Sequence, residues 1–126
     1  MQVKNKYEET KKGWGKEVLI VNNKHYCGKL MVFDDRKSCS MHFHANKTET
    51  FYVLNGSFVI TMIDTTVGKE NEYILREKDS ITIPRLVPHR ITGTSKMSVL
   101  MEISTEHADD DSYRVAPGAS QLVSML

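Results

Sequence analysis

From Trp14 onward, apolar residues recur in short runs that alternate with polar positions. The runs cover residues 17–21, 27–33, 39–44, 49–54, 58–62, 72–75, 80–83, 89–92 and 98–103. They are rich in β-branched and aromatic residues, which suit a pleated, half-buried surface. Turn chemistry separates them: Asn22-Asn23, Asp34-Asp35, Asn55-Gly56, Val67-Gly68, the segment from Pro84 to Pro88, and Thr92-Gly93. Asn55-Gly56 predicts a hairpin, because both residues tolerate positive φ. About nine short strands with brief connections predict an all-β sandwich or barrel. The halves before and after Gly68 are each expected to supply about half of the strands.

Outside these runs the pattern fades. Residues 1–13 are polar, rich in Lys and Glu, and read as an exposed lead-in. The barrel domain is placed at 14–118. Within it, residues 104–118 turn acidic around Glu106-His107-Ala108-Asp109-Asp110-Asp111, and a run of like charge reads as a solvated loop. Residues 119–126 form a tail, either a helical turn or a final strand.

A length of 126 residues is that of one domain. Seventeen Lys and Arg against sixteen Asp and Glu leave a net charge of +1, which argues against nucleic acid as the main partner. No apolar run approaches the roughly 18–20 residues of a membrane span, so no membrane role is expected. The N-terminus has no apolar segment of the secretory kind. Cys27 and Cys39 are too few and too far apart for a disulfide scaffold or a Cys-rich zinc site, and a reducing cytoplasm is the expected setting. A barrel of this size leaves sheet edges open. A homodimer covering one of them, formed through residues 15–33, is therefore expected.

The chemistry concentrates in one stretch. His42 and His44 lie two residues apart on a strand and so share a face, with Met41 and Phe43 pointing the other way. Glu49 begins the next apolar run. If the two runs are adjacent antiparallel strands, its carboxylate reaches the same point. About forty residues on, Pro84 and Pro88 bracket a tight connection that delivers His89 to the start of another strand. Three imidazoles and a carboxylate suit a first-row divalent ion: Mn, Fe, Co, Ni or Zn. Glu102 sits between Met101 and Ile103, so if those two face outward it points into the barrel and needs a partner there, the metal or Lys29. Arg114 has the planar fork that suits a phosphate or a sugar hydroxyl. His25 reads as a solvated turn histidine, and Cys39 and Met41 as packing residues.

These residues resemble the cupin superfamily. Its first motif, G-x5-H-x-H-x3-4-E-x6-G, is met at His42, His44, Glu49 and Gly56, with Arg36 at the leading Gly. Its second, G-x5-P-x-G-x2-H-x3-N, is met at Pro84 and His89, with Lys78, Leu86 and Gly93 at the other positions. The resemblance implies a double-stranded β-helix, a small jelly-roll-like barrel, around one metal held by His42, His44, Glu49 and His89. Gly13-Trp14-Gly15, Tyr26 to Leu30, Glu102 to Thr105 and Asp110 to Arg114 look like the cupin domain of type II phosphomannose isomerases and related sugar isomerases such as D-lyxose isomerase. In the phosphomannose isomerases an Arg follows the second motif His, where this chain has Ala45. The resemblance implies a metal-assisted aldose–ketose isomerase of a sugar or sugar phosphate, with Lys29 and Glu102 as acid–base residues and Arg114 on the substrate. The same ligand set also serves iron-dependent dioxygenases. A non-catalytic cupin that binds a carbohydrate or small metabolite is the third reading.

Overall fold

A computed structural model describes residues 3–124; residues 1 and 2 of the lead-in and 125 and 126 of the tail lie outside it. Eleven strands follow one another: β1 (Glu8–Lys12), β2 (Gly15–Asn22), β3 (Cys27–Asp34), β4 (Met41–Phe43), β5 (Glu49–Asn55), β6 (Ser57–Asp64), β7 (Lys69–Arg76), β8 (Ser80–Ile83), β9 (His89–Gly93), β10 (Met97–Ser104) and β11 (Tyr113–Ala116). A helix, α1 (Ala119–Ser124), closes the described chain, so the tail takes the helical of its two expected forms. The strands form two antiparallel sheets, ordered β1-β2-β3-β10-β5-β8 and β11-β4-β9-β6-β7. Both halves of the chain contribute to both sheets.

Inward-facing residues of the two sheets interdigitate to make the core. On β3 the alternation is strict, with Cys27, Lys29, Met31 and Phe33 buried and the residues between them only partly covered. Phe33 stacks on Trp14 at 4.2 Å between ring centroids and meets Phe58 edge-on at 5.5 Å. Phe51, Ile60, Ile83, Ile91 and Leu100 are as deeply buried. This apolar cluster fills part of the interior, and polar groups take the rest.

Several local expectations are corrected. Asn55-Gly56 is not a hairpin: β5 and β6 belong to different sheets, and the turn carries the chain across the barrel. Gly56 has φ +74, and a Cβ there would lie 2.3 Å from the Ser95 hydroxyl oxygen, so the corner requires glycine. The stretch read as a lead-in contains strand β1, and the acidic stretch contains β11. All of β1 is exposed and most of β11 is, so neither carries an apolar alternation; both are held largely by main-chain pairing. β1 also covers the edge of β2, so residues 15–33 offer no open edge for a partner strand. Among the described residues, no helix is long and apolar enough to cross a membrane.

Candidate metal centre

The five-stranded sheet supplies three imidazoles. His42 is on β4, and His44 lies one residue past its end; both are turned inward by the strand period. His89 opens β9 as the direct cross-strand partner of His42. Nitrogens of the three rings lie within 4.8 Å of one another. Each ring donates its Nδ1–H to a main-chain carbonyl at 2.9 Å: His42 to Ser40, His44 to Asp111 and His89 to Val87. That bond fixes the tautomer and leaves Nε2 as an unprotonated donor of electrons. Burial, and then the proximity of His89, pulls the His42 pKa down to about 3, which keeps that ring neutral at ordinary pH.

Glu49 meets the imidazoles from the other sheet. The expectation of adjacent strands is corrected here: β4 and β5 lie in different sheets, so the carboxylate arrives from across the barrel. Its Oε2 lies 3.2 Å from His44 Nε2 and 3.0 Å from His89 Nε2. With both Nδ1–H groups spent on carbonyls, these contacts set lone pair against lone pair. Glu49 Oε2 and His89 Nε2 are buried, and neither has a hydrogen-bond partner among the described residues. A cation among them satisfies all of these atoms, and three neutral nitrogens with one carboxylate fit a first-row divalent ion. Burial alone would push the Glu49 carboxyl up; in the metal-free protein hydrogen bonds from His44 and His89, which a proton on Nε2 would supply, and the nearby Lys47 ammonium outweigh it and hold it well below the ordinary range.

The six-stranded sheet and its loops supply charge. Lys47 is 3% exposed, with Nζ 3.6 Å from Glu49 Oε1 and 3.1 Å from Glu102 Oε2. It also donates to His107 Nδ1 at 3.0 Å, and His107 Nε2 faces Asp109 at 2.9 Å. Burial by itself would lower the Lys47 pKa; Glu102 and Glu49 reverse the sign and raise it, so the ammonium stays charged. Glu102 does point inward, 3% exposed, but its partner is Lys47, and the Ser104 hydroxyl donates to it as well. Lys29 is also buried; it faces Glu102 across the strand pair and bonds Glu17 at 3.3 Å. Arg114 is the register partner of His42 on β11, so it shares the inward face, although it is largely exposed. Its guanidinium has no hydrogen-bond or ion-pair partner among the described residues. A cavity of about 450 Å³ opens beside the centre, lined by His42, His44, Glu49, Lys47, Glu102, Lys29 and Arg114 among others.

Three residues of this neighbourhood go beyond the sequence reading. Lys47 is two residues from Glu49, the spacing that shares a strand face, and that was the signal available for it. His107 and Asp111 correct the solvated-loop reading of the acidic run. Asp109 and Asp110 are exposed, but Asp111 is 5% exposed. Its carboxylate accepts main-chain N–H bonds from Ala45, Asn46 and Lys47 at 2.9–3.2 Å, while its carbonyl takes the His44 proton. One residue thus fixes both a ring of the centre and the loop that carries Lys47.

The cupin domain family matches residues 29–104, more than half of the chain, and the chain belongs to that family. Solved structures agree on the fold. The capsular polysaccharide assembling protein CapF of Staphylococcus aureus superposes with a TM-score of 0.80 over 89% of this chain, at 18% identity. Oxalate decarboxylase of Bacillus subtilis, a protein with Mn(II) centres, does so with a TM-score of 0.79 over 91%, at 16% identity. The chain spans 33% of the length of each of these proteins. No curated protein matches the chain at comparable significance.

Proposed function

We propose that this cupin is a metal-dependent aldose–ketose isomerase acting on a small phosphorylated sugar. The observation that carries this reading is the buried Glu102–Lys47 pair in the wall of the cavity that also holds the three imidazoles and Glu49. A proton shift between adjacent carbons needs one group to accept the proton and return it, with positive charge near the oxygens. Glu102 is the carboxylate suited to carry that proton. Lys47 and Lys29 are ammonium donors suited to orient the oxygens. His42, His44, Glu49 and His89 would hold the ion, which when bound supplies Lewis-acid polarisation of the carbonyl and its neighbouring hydroxyl.

Charge supports an anionic substrate. Lys11, Lys12, Lys29, Lys47 and Arg114 line the cavity against three carboxylates, Glu17, Glu49 and Glu102. Arg114 is the residue whose fork matches a phosphate. The likeness of the flanking segments to sugar isomerases points the same way. The test is to load the protein with Mn(II) and incubate it in deuterated water with mannose 6-phosphate, fructose 6-phosphate and free pentoses. Interconversion of the phosphorylated pair, with deuterium entering at the carbon that exchanges its proton, is the expected result. Glu102→Gln should abolish exchange at unchanged metal content, and Arg114→Gln should raise KM more than it lowers kcat. No exchange with any sugar would end the proposal. Oxygen uptake with Fe(II) instead would favour a dioxygenase, and a ligand-induced rise in Tm without turnover a binding module.

A further inference from the structure

His107 holds its ring proton the other way round from the imidazoles of the metal centre. Its Nδ1 lies 3.0 Å from Lys47 Nζ, and its Nε2 lies 2.9 Å from Asp109 Oδ1. An ammonium only donates, so Nδ1 is the accepting nitrogen; an ionised carboxylate only accepts, so Nε2 carries the proton. Both contacts demand the same tautomer, the reverse of the one that His42, His44 and His89 take toward their carbonyls. A charged ring would have no lone pair left for Lys47. Burial, and then the ammonium groups of Lys29 and Lys47, hold the His107 pKa below its usual value against the pull of Asp109.

The main chain is clamped at this residue. Asn22, the last residue of β2, donates from Nδ2 to the His107 carbonyl and accepts the His107 N–H at Oδ1, both at 2.9 Å. Glu106 and Ala108 on either side are exposed, so the two amide bonds do the holding that packing does elsewhere.

Lys47 needs such a partner. Its ammonium has three donors at the end of a flexible stem. Glu102 Oε2, at 3.1 Å, takes one, and His107 Nδ1 takes a second. Glu49 Oε1, at 3.6 Å, lies outside hydrogen-bond range and attracts only as a charge. One bond would let the head turn about it; two bonds fix the direction of the third N–H. His107 supplies the second bond without adding charge, where a carboxylate would be the third beside one ammonium.

We propose that His107 is a positioning residue: its Nδ1 aims Lys47 so that the third N–H of the ammonium is presented to an oxygen of the substrate in the cavity. The role in turnover rests on the isomerase reading, whereas the tautomer and the hold on Lys47 do not. Asp109 keeps the proton on Nε2 and Asn22 keeps the backbone in place, so residues outside the cavity set the direction of a charge inside it.

Nitrogen-15 NMR of the histidine rings and lysine ammonium groups of the full chain at neutral pH tests this. The ring signals lost in His107→Asn should show a protonated Nε2 and a bare Nδ1. The Lys47 Nζ protons should exchange slowly in the wild type and in His107→Asn, whose side-chain oxygen can stand in for Nδ1. In His107→Leu they should exchange roughly tenfold faster or more, as one lost hydrogen bond of about 1.4 kcal/mol implies. In turnover, His107→Leu should lower kcat by up to roughly 100-fold, the cost of a misplacement of about 1 Å, at unchanged metal content. His107→Asn should restore most of it. If His107→Leu loses its far-UV circular dichroism, His107→Gln, whose amide reaches the Nε2 position instead, carries the same comparison. A proton on His107 Nδ1 overturns the proposal, as does unchanged Lys47 exchange or unchanged kcat in the folded Leu or Gln variant. If the wild type turns over no sugar, the isomerase reading falls, and the NMR comparison still decides whether His107 holds Lys47.

Discussion

The two walls of the cavity solve the burial of polar groups in opposite ways. The five-stranded sheet contributes His42, His44 and His89, each fixed by a main-chain carbonyl at Nδ1, and holds His42 neutral. The six-stranded sheet contributes Glu17, Lys29, Glu49 and Glu102 and sets opposite charges side by side, with Lys47 from the preceding loop joining them. Two of the three imidazoles are oriented by a carbonyl two residues upstream, Ser40 for His42 and Val87 for His89. Their geometry is set locally. In the charged wall the counter-charge comes from afar: Lys47 meets Glu102 from 55 residues away. A neutral ring held by its own strand tolerates change nearby, whereas a buried charge depends on a partner delivered by the whole fold.

Removing one charged partner should therefore have the largest effect. Lys47→Ala leaves Glu102, and in part Glu49, without a counter-charge in a dry interior. Breaking a buried pair in this way costs about 3–5 kcal/mol. Urea unfolding of the metal-free variant should show that loss as a lower midpoint. The double variant Lys47→Met with Glu102→Leu removes both charges at similar volume and should recover most of it. A single variant within experimental error of the wild type would mean that water reaches the pair and that the two walls do not differ.

Acid should expose the neutral wall. An ordinary histidine titrates near 6.5, whereas His42 is held at about 3 by burial and by His89. Between those values the unfolded chain binds a proton that the folded chain refuses. Stability is therefore full above about pH 6.5 and is lost as pH falls toward 3, by a few kcal/mol at about 1.4 kcal/mol per unit. Glu49 adds a second loss lower down: its depressed carboxyl favours the fold above 4.5, and that contribution goes as pH falls through its folded value. Thermal melts of the metal-free protein across pH 7 to 4 should fall from the first step on. His42→Gln should flatten the limb between 6.5 and 4.5 and leave only the Glu49 part of the loss below it.

What could be read from the sequence follows the same division. His42 and His44 are legible because a strand period is a local rule, and His89 because two prolines frame it. Glu49 was legible as a residue but not as a route: alternation fixes which face a side chain takes, not which sheet its strand joins. Lys47 shares the spacing of Glu49, but a lysine beside Asn46 and Thr48 carries no apolar context to mark it as buried. β1 and β11 were hidden for a related reason, being almost wholly exposed. Arg36, Lys78 and Leu86 teach a further point. They stand where the cupin motifs carry glycine, and all three hold left-handed backbone, with φ of 61, 75 and 68. The turns keep the conformation without the residue that makes it easy, at roughly 1–2 kcal/mol each.

Asp111 crosses the division between the walls, and its variant should have the smallest of these effects and the sharpest meaning. Its carbonyl orients His44, the one imidazole without a local anchor, and its carboxylate holds the loop that presents Lys47. Asp111→Asn keeps the volume and one acceptor oxygen but loses the charge that attracts three N–H groups. The loop should loosen, and His44 and Lys47 should shift together. Second-shell changes of this kind cost about 10–100-fold in metal affinity. Competition with a chelator for Co(II) measures the loss, and the Co(II) d–d spectrum reports whether the ligand field changed with it. Weaker binding with an altered spectrum means that Asp111 positions the ring. Weaker binding with the wild-type spectrum would mean that it only stabilises the fold, and the two walls would then be independent.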